Sequence, residues 1–110
     1  MEEEERLLRR LALNDEESIG MVLTSSAESD DGAALVPKAA LLVQLGALLA
    51  LGAATASLKG AVRRVRAAGA TESEIVGVLI AIAPAIGLAK VVSIAPRLAA
   101  AIGYEIDADE

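Results

Sequence analysis

The stretch TASLKGAVRRVRAAGATESEI, residues 55–75, decides the fold because it contains one whole helix and the start of the next. Its first part predicts an amphipathic helix over residues 55–68, which Gly69 ends. Thr71 and Glu74 then form a capping-box pattern, in which the threonine oxygen accepts from the Glu74 amide and the glutamate reaches back to the threonine amide. A second helix therefore starts directly after this turn.

Long apolar segments flank this stretch and complete an all-α core. The predicted core helices span residues 37–54, 55–68, 72–83 and 87–102. Pro37 suits the first position of a helix, where its missing N–H would be unpaired anyway. Pro84 lacks the amide that helix continuation needs, so we predict a kink or a break there. Gly46 and Gly52 are expected at close contacts between helices.

The first 34 residues predict two shorter helices and a polar loop. A helix over residues 2–13 begins with four glutamates, which suit the positive end of the helix dipole. Asn14 and Asp15 can end it and cap a second helix over residues 16–24. The chain is thus expected to have five to six helices. Its divisions are an N-terminal part at residues 1–34, a helical domain at 35–103 and an acidic tail at 104–110.

The composition limits both the chemistry and the core. The 110 residues include no cysteine and no histidine, which removes thiol chemistry, the usual general base near neutral pH and the commonest transition-metal ligand. We therefore expect no cofactor. Tyr104 is the only aromatic residue, so the core must be built from small aliphatic side chains that bury little area each. A homo-oligomer is an attractive way to complete such a core.

Charge is segregated along the chain and argues against nucleic acid as a partner. Residues 1–32 carry a net charge of −7, residues 33–102 carry +5 and residues 103–110 carry −4. The basic residues Lys59, Arg63, Arg64 and Arg66 have no interleaved aromatic residues and lie between acidic flanks. They are expected to form a solvated helix face or ion pairs between subunits. The acidic start is unlike a secretory signal, which predicts a cytoplasmic protein.

Residues 35–98 resemble a known family. The segments PKAALLVQLGALLALG and LKGAVRRVRAAGATESEIVGVLIAIAPAIGLAKV are similar to the carboxymuconolactone decarboxylase-like family, which includes the alkylhydroperoxidase AhpD-type proteins. The resemblance lies in the order of PK, ALG, LKxxVR, AAGATxxE and APxxG. It implies an all-helical fold and assembly into a trimer or hexamer.

The same resemblance places apolar or inert residues at the family's catalytic positions. The family's glutamate corresponds to Leu41 and its histidine to Ala61, while the two cysteines of the peroxidase branch correspond to Thr55 and Leu58. Neither the thiol relay nor the proton-transferring pair is therefore retained. These four positions are expected to form filled core or, alternatively, a site for a small apolar ligand.

Three functional hypotheses follow from these residues. The first is a non-catalytic, oligomeric relative of the family with a structural, small-ligand-binding or regulatory role. The second is an enzyme with a relocated site for a small carboxylated or lactone substrate; its candidate residues are Lys38, Lys59, Arg63, Glu72 and Glu74. The third is a membrane hairpin, because residues 39–58 lack charge, although alanine drives insertion weakly and an aromatic belt is missing.

Overall fold

The computed structural model describes residues 2–24 and 35–105, and every regular element in those two ranges is an α-helix. This confirms the prediction of an all-α fold, and the six helices in these ranges match the upper end of the predicted five to six. The six helices are α1 (Glu2–Ala12), α2 (Glu16–Thr24), α3 (Pro37–Leu51), α4 (Thr55–Ala67), α5 (Glu72–Ile86) and α6 (Leu88–Ile102). The predicted loop at residues 25–32 and most of the acidic tail lie outside the described residues.

A tight turn joins α1 to α2, and the two helices pack on each other. Asn14 adopts a left-handed backbone with φ of 62°, which a short polar side chain tolerates. Asp15 then caps α2 as predicted: its Oδ2 accepts from the Ser18 amide at 3.0 Å and from the Ser18 hydroxyl at 2.6 Å. Both hydrogen bonds favour the charged carboxylate and lower the pKa of Asp15.

The other four helices form two antiparallel hairpins, α3–α4 and α5–α6, that pack side by side. Helix α3 lies against α4 and α5, while α6 lies against α4 and α5 on the other side. An ion pair between Lys38 and Glu74 places the starts of α3 and α5 together. Arg66 donates to the Ile102 carbonyl oxygen at 3.1 Å, which places the ends of α4 and α6 together. Helices α3 and α5 therefore run in the same direction.

The core lies between these four helices and consists of aliphatic side chains. Helix α4 presents Leu58, Val62 and Val65 to the core and leaves its arginines exposed, as expected of an amphipathic helix. The buried apolar side chains are Leu41, Leu45, Leu49, Leu58, Ala61, Val62, Val65, Ile75, Ile94, Leu98, Ala101 and Ile102. Helix α5 contributes a single residue to this set, although it is the most apolar segment of the chain.

The predicted end of α3 at residue 54 is wrong by three residues. The helix ends at Leu51 because Gly52 adopts a left-handed backbone with φ of 73°, and its N–H donates to the carbonyls of the last turn. Gly52 therefore serves the turn and was wrongly predicted to mark a close helix contact. Gly46 does mark one, because a Cβ there would lie 3.3 Å from Val78 Cγ1.

The predicted helix end at residue 83 is also wrong, because α5 does not break at Pro84 but continues through this residue to Ile86. A proline at this position removes one intrahelical donor, whose acceptor would be the carbonyl of Ile80. Both residues are exposed, so solvent can satisfy that carbonyl. The helix ends where Gly87 takes φ of 88° and ψ of 161°. Pro96 is likewise accommodated inside α6, as predicted.

Candidate functional site

The four positions that the resemblance matches to catalytic residues are mostly core. The exposed fraction is 4% for Leu41, 0% for Leu58 and 3% for Ala61, and all three belong to the same hydrophobic cluster. Thr55 is the first residue of α4 and is half-buried. Three aliphatic side chains thus fill the space where the resemblance would put the reacting groups.

Glu74 belongs to a helix cap and an ion pair. Its amide donates to Thr71 Oγ1 at 3.1 Å, and its Oε1 accepts from the Thr71 amide at 2.9 Å, which completes the predicted capping box. Its Oε2 accepts from Lys38 Nζ at 3.0 Å. The Thr71 amide, followed by Lys38, lowers the pKa of Glu74 because both stabilise the charged carboxylate. A general base needs the opposite shift, toward neutral pH.

Glu72 belongs to a different group of contacts. The Tyr104 hydroxyl donates to its Oε2 at 2.8 Å, and Arg66 Nη2 lies 3.6 Å from its Oε1. The negative carboxylate beside the hydroxyl raises the pKa of Tyr104. The structure therefore pairs the two candidate glutamates with different cations. Sequence reasoning missed Tyr104, which was assigned to a loose tail, because its partner lies 32 residues earlier in the chain.

Lys59 and Arg63 lie along the outer face of α4, where two surface cavities meet. Both residues line a cavity of about 270 Å³ together with Arg66, Val62 and Ala101. Arg63 also lines a second cavity of about 410 Å³, at whose wall Leu41 lies. These cations are exposed in the single chain, which agrees with both predicted alternatives, a solvated face and ion pairs between subunits. Neither Lys59 nor Arg63 has a described contact with Glu72 or Glu74. The candidate residues therefore do not form a single cluster.

An apolar cavity lies elsewhere, in a groove between α3 and α5. It has a volume of about 490 Å³, within the range of ligand-binding pockets. All of its lining residues are aliphatic or glycine: Leu42, Val43, Gly46, Ala47, Ala50, Val78, Ala81, Ile82, Ala85 and Ile86. Sequence reasoning did not single out this groove. The sequence does contain a signal for an apolar surface on this helix, since no polar residue occurs between Ile75 and Ala89.

Two further classes of site are absent from the described ranges, 2–24 and 35–105. Within them, no group of three or more acidic residues is arranged so that it could hold a metal ion. Nor does any helix in that part of the chain combine the length and apolar character needed to cross a membrane.

Comparison with known proteins does not identify a family. The chain matches no family model, no curated protein and no solved structure.

Proposed function

We propose that the chain is a non-catalytic helical protein that acts as a homo-oligomer in a structural, binding or regulatory role. The observation that carries the proposal is the packing of Leu41, Leu58 and Ala61 within one hydrophobic cluster. Closely packed aliphatic side chains neither transfer protons nor act as nucleophiles.

The contacts of the charged candidates support the same reading. Glu74 and Lys38 join α3 to α5, and Glu72 joins the start of α5 to Tyr104 beyond the end of α6. In many proteins such bonds hold helix ends together and take no part in catalysis. The lowered pKa of Glu74 also keeps it ionised and a weak base at neutral pH.

The oligomeric part of the proposal is supported by how little of α5 is covered. A helix that is apolar on all sides is expected to be buried, yet only Ile75 of α5 is buried in the single chain. A trimer or hexamer remains our expectation from the resemblance described above. Assembly would bury surface that a core of small side chains leaves open.

Light scattering coupled to size-exclusion chromatography, on protein purified without detergent, tests this proposal. A discrete trimer or hexamer is expected. A monomer at concentrations up to about 100 µM would contradict the assembly, because a contact weaker than this has an association free energy of only about 5 kcal/mol.

The basic cavity at Lys59 and Arg63 favours one second candidate, an enzyme or binding site for a small carboxylated or lactone substrate. Two cations in one concave surface can hold a carboxylate. Substrate turnover by the wild-type chain and its abolition by Lys59→Ala with Arg63→Ala would support this candidate. Turnover that is unchanged in the double variant would remove these residues from consideration.

A further inference from the structure

Helix α5 is the most unusual element because its sides are apolar in every direction. From Ile75 to Ala89 the chain has no polar side chain, so at 100° per residue every face of the helix is aliphatic. Helices of this kind belong in the interior of a protein or assembly. In the single chain, however, Ile80 is 67% exposed and Ala81, Pro84 and Ala85 are also exposed.

The groove beside α5 has the shape of a helix-packing surface. Small residues lie along it on both helices: Gly46, Ala47, Ala50, Ala81 and Ala85. Larger exposed side chains occur on the same two helices, with Val43 61% exposed on α3 and Ile80 67% exposed on α5. Rows of large side chains fit into grooves of small ones when two helical surfaces pack.

We propose that this face, which consists of the α3–α5 groove and the adjoining outer side of α5, packs against the same face of a second copy. The inference builds on the oligomeric function proposed above and assigns its contact surface. No residue that lines the groove carries a charge. Two copies therefore meet without placing like charges together, although the whole chain has a net charge of −6.

The available area fits a contact between two copies. Helix α5 has 15 residues, and a helix of that length is about 22 Å long. With α3 about 10 Å away, the face measures roughly 22 by 20 Å, or about 450 Å² in projection per copy. Two copies then bury on the order of 1,000 Å² once side-chain corrugation is included, which is about the lower bound for a specific interface.

The contact between two identical faces also distinguishes between the expected trimer and hexamer. A face that meets its own copy forms a contact with twofold symmetry, in which the same residues serve both subunits. Such contacts occur in a dimer or in a hexamer with three-fold and two-fold axes. They do not occur in a cyclic trimer, so we expect an even number of subunits.

The test compares Ile80→Glu with the matched control Val36→Glu in the full chain. Ile80 is 67% exposed on the outer side of α5, and Val36 is 66% exposed just before the start of α3. Both changes therefore place a carboxylate on an equally exposed position, but only Ile80 belongs to the proposed face. We expect Ile80→Glu to halve the mass measured by light scattering and to weaken the contact about 100-fold or more, because a charge would be buried beside its own copy. The control should keep the wild-type mass.

A second variant, Ala47→Glu, places the charge on the α3 side of the groove and should cause the same loss. Circular dichroism should show unchanged helix content in all three variants. An assembly that keeps its wild-type mass in both Ile80→Glu and Ala47→Glu would overturn the inference and leave the proposed function intact, as would a wild-type trimer. A wild-type monomer would instead remove the oligomeric function itself, and the groove would then be available to a small apolar ligand.

Discussion

Lys38 Nζ lies 3.0 Å from Glu74 Oε2, and this ion pair joins the first turn of α3 to the first turn of α5. The other oxygen of the same carboxylate accepts from the Thr71 amide and caps α5. The Glu74 side chain thus caps the start of α5 and also fixes the direction of α5 relative to α3. The adjoining groove depends on that parallel arrangement, because α3 and α5 form its two walls.

The first prediction concerns the pH dependence that Glu74 contributes to stability. The folded-state pKa of Glu74 is lowered from 4.5. Its stabilising contribution is therefore complete above about pH 4.5 and is lost as the pH falls through the lower folded-state pKa. Glu74→Gln keeps a capping side chain without the charge, so we expect its free energy of unfolding to fall less than that of the wild type between pH 5 and pH 3.

Urea unfolding at each pH would measure this difference, with Glu3→Gln as the control because Glu3 is an exposed glutamate on α1. Equal losses of stability in wild type and Glu74→Gln would show that the cap and ion pair do not favour the charged carboxylate in the folded state.

Much of the helical pattern could be predicted because local chemistry determines it. The capping box at Thr71 and the cap at Asp15 were confirmed, since each depends on residues within three positions of one another. The errors at Gly52 and Pro84 have a common origin. Glycine serves both turns and close contacts, and proline can remain inside a helix whose free carbonyl faces solvent, so the outcome depends on tertiary surroundings.

The second prediction tests whether Leu58 fills the core. Its side chain is fully buried, so Leu58→Ala should destabilise the protein by about 2–5 kcal/mol through lost burial and a residual cavity. The matched control Leu35→Ala, at a residue 51% exposed, should cost less than about 1 kcal/mol. Chemical denaturation at neutral pH measures both. A cost below about 1 kcal/mol for Leu58→Ala would indicate an open pocket at this position.

The third prediction concerns the close approach of α3 and α5 at Gly46. A Cβ at this position meets Val78 Cγ1 at 3.3 Å and Ile82 Cγ2 at 3.5 Å, whereas a Cβ at Gly60 in α4 meets only the end of the Arg64 side chain at 3.5 Å. Alanine is favoured over glycine inside a helix by about 1 kcal/mol. Gly60→Ala should therefore stabilise the protein by roughly 0.5–1 kcal/mol.

Gly46→Ala should gain less than Gly60→Ala or should destabilise, because the two helices must separate slightly or Val78 must move. Thermal or urea unfolding of the two variants provides the comparison. An equal gain at both positions would mean that the α3–α5 contact is loose enough to accept a methyl group.

The candidate site was less predictable than the helices because its contacts join distant parts of the chain. Lys38 and Glu74 are separated by 36 residues, and Tyr104 and Glu72 by 32. Residue type alone made Lys38, Glu72 and Glu74 candidates for chemistry, while their partners show that they hold helix ends together. The groove was missed for a different reason. In a sequence, aliphatic residues are interpreted as core, and only the packed structure shows which of them stay exposed.

The last prediction concerns Arg97, which ties α6 to the turn between α3 and α4. Its Nη1 donates to the Gly52 carbonyl oxygen at 2.9 Å and to the Ala53 carbonyl oxygen at 3.3 Å. These carbonyls follow the C-terminus of α3, where the helix dipole favours a positive charge. Arg97→Met keeps much of the side-chain volume but removes the donors, so we expect a loss of about 1–2 kcal/mol in the free energy of unfolding.

The matched control is Arg64→Met, which makes the same change of charge at an exposed position on α4 and should alter stability by less than about 0.5 kcal/mol. Urea denaturation of both variants at one pH and salt concentration separates the specific hydrogen bonds from the change in net charge. Equal effects of the two substitutions would mean that Arg97 acts only through its charge. A larger loss for Arg97→Met would show that the two carbonyl contacts stabilise the turn on which the α3–α4 hairpin depends.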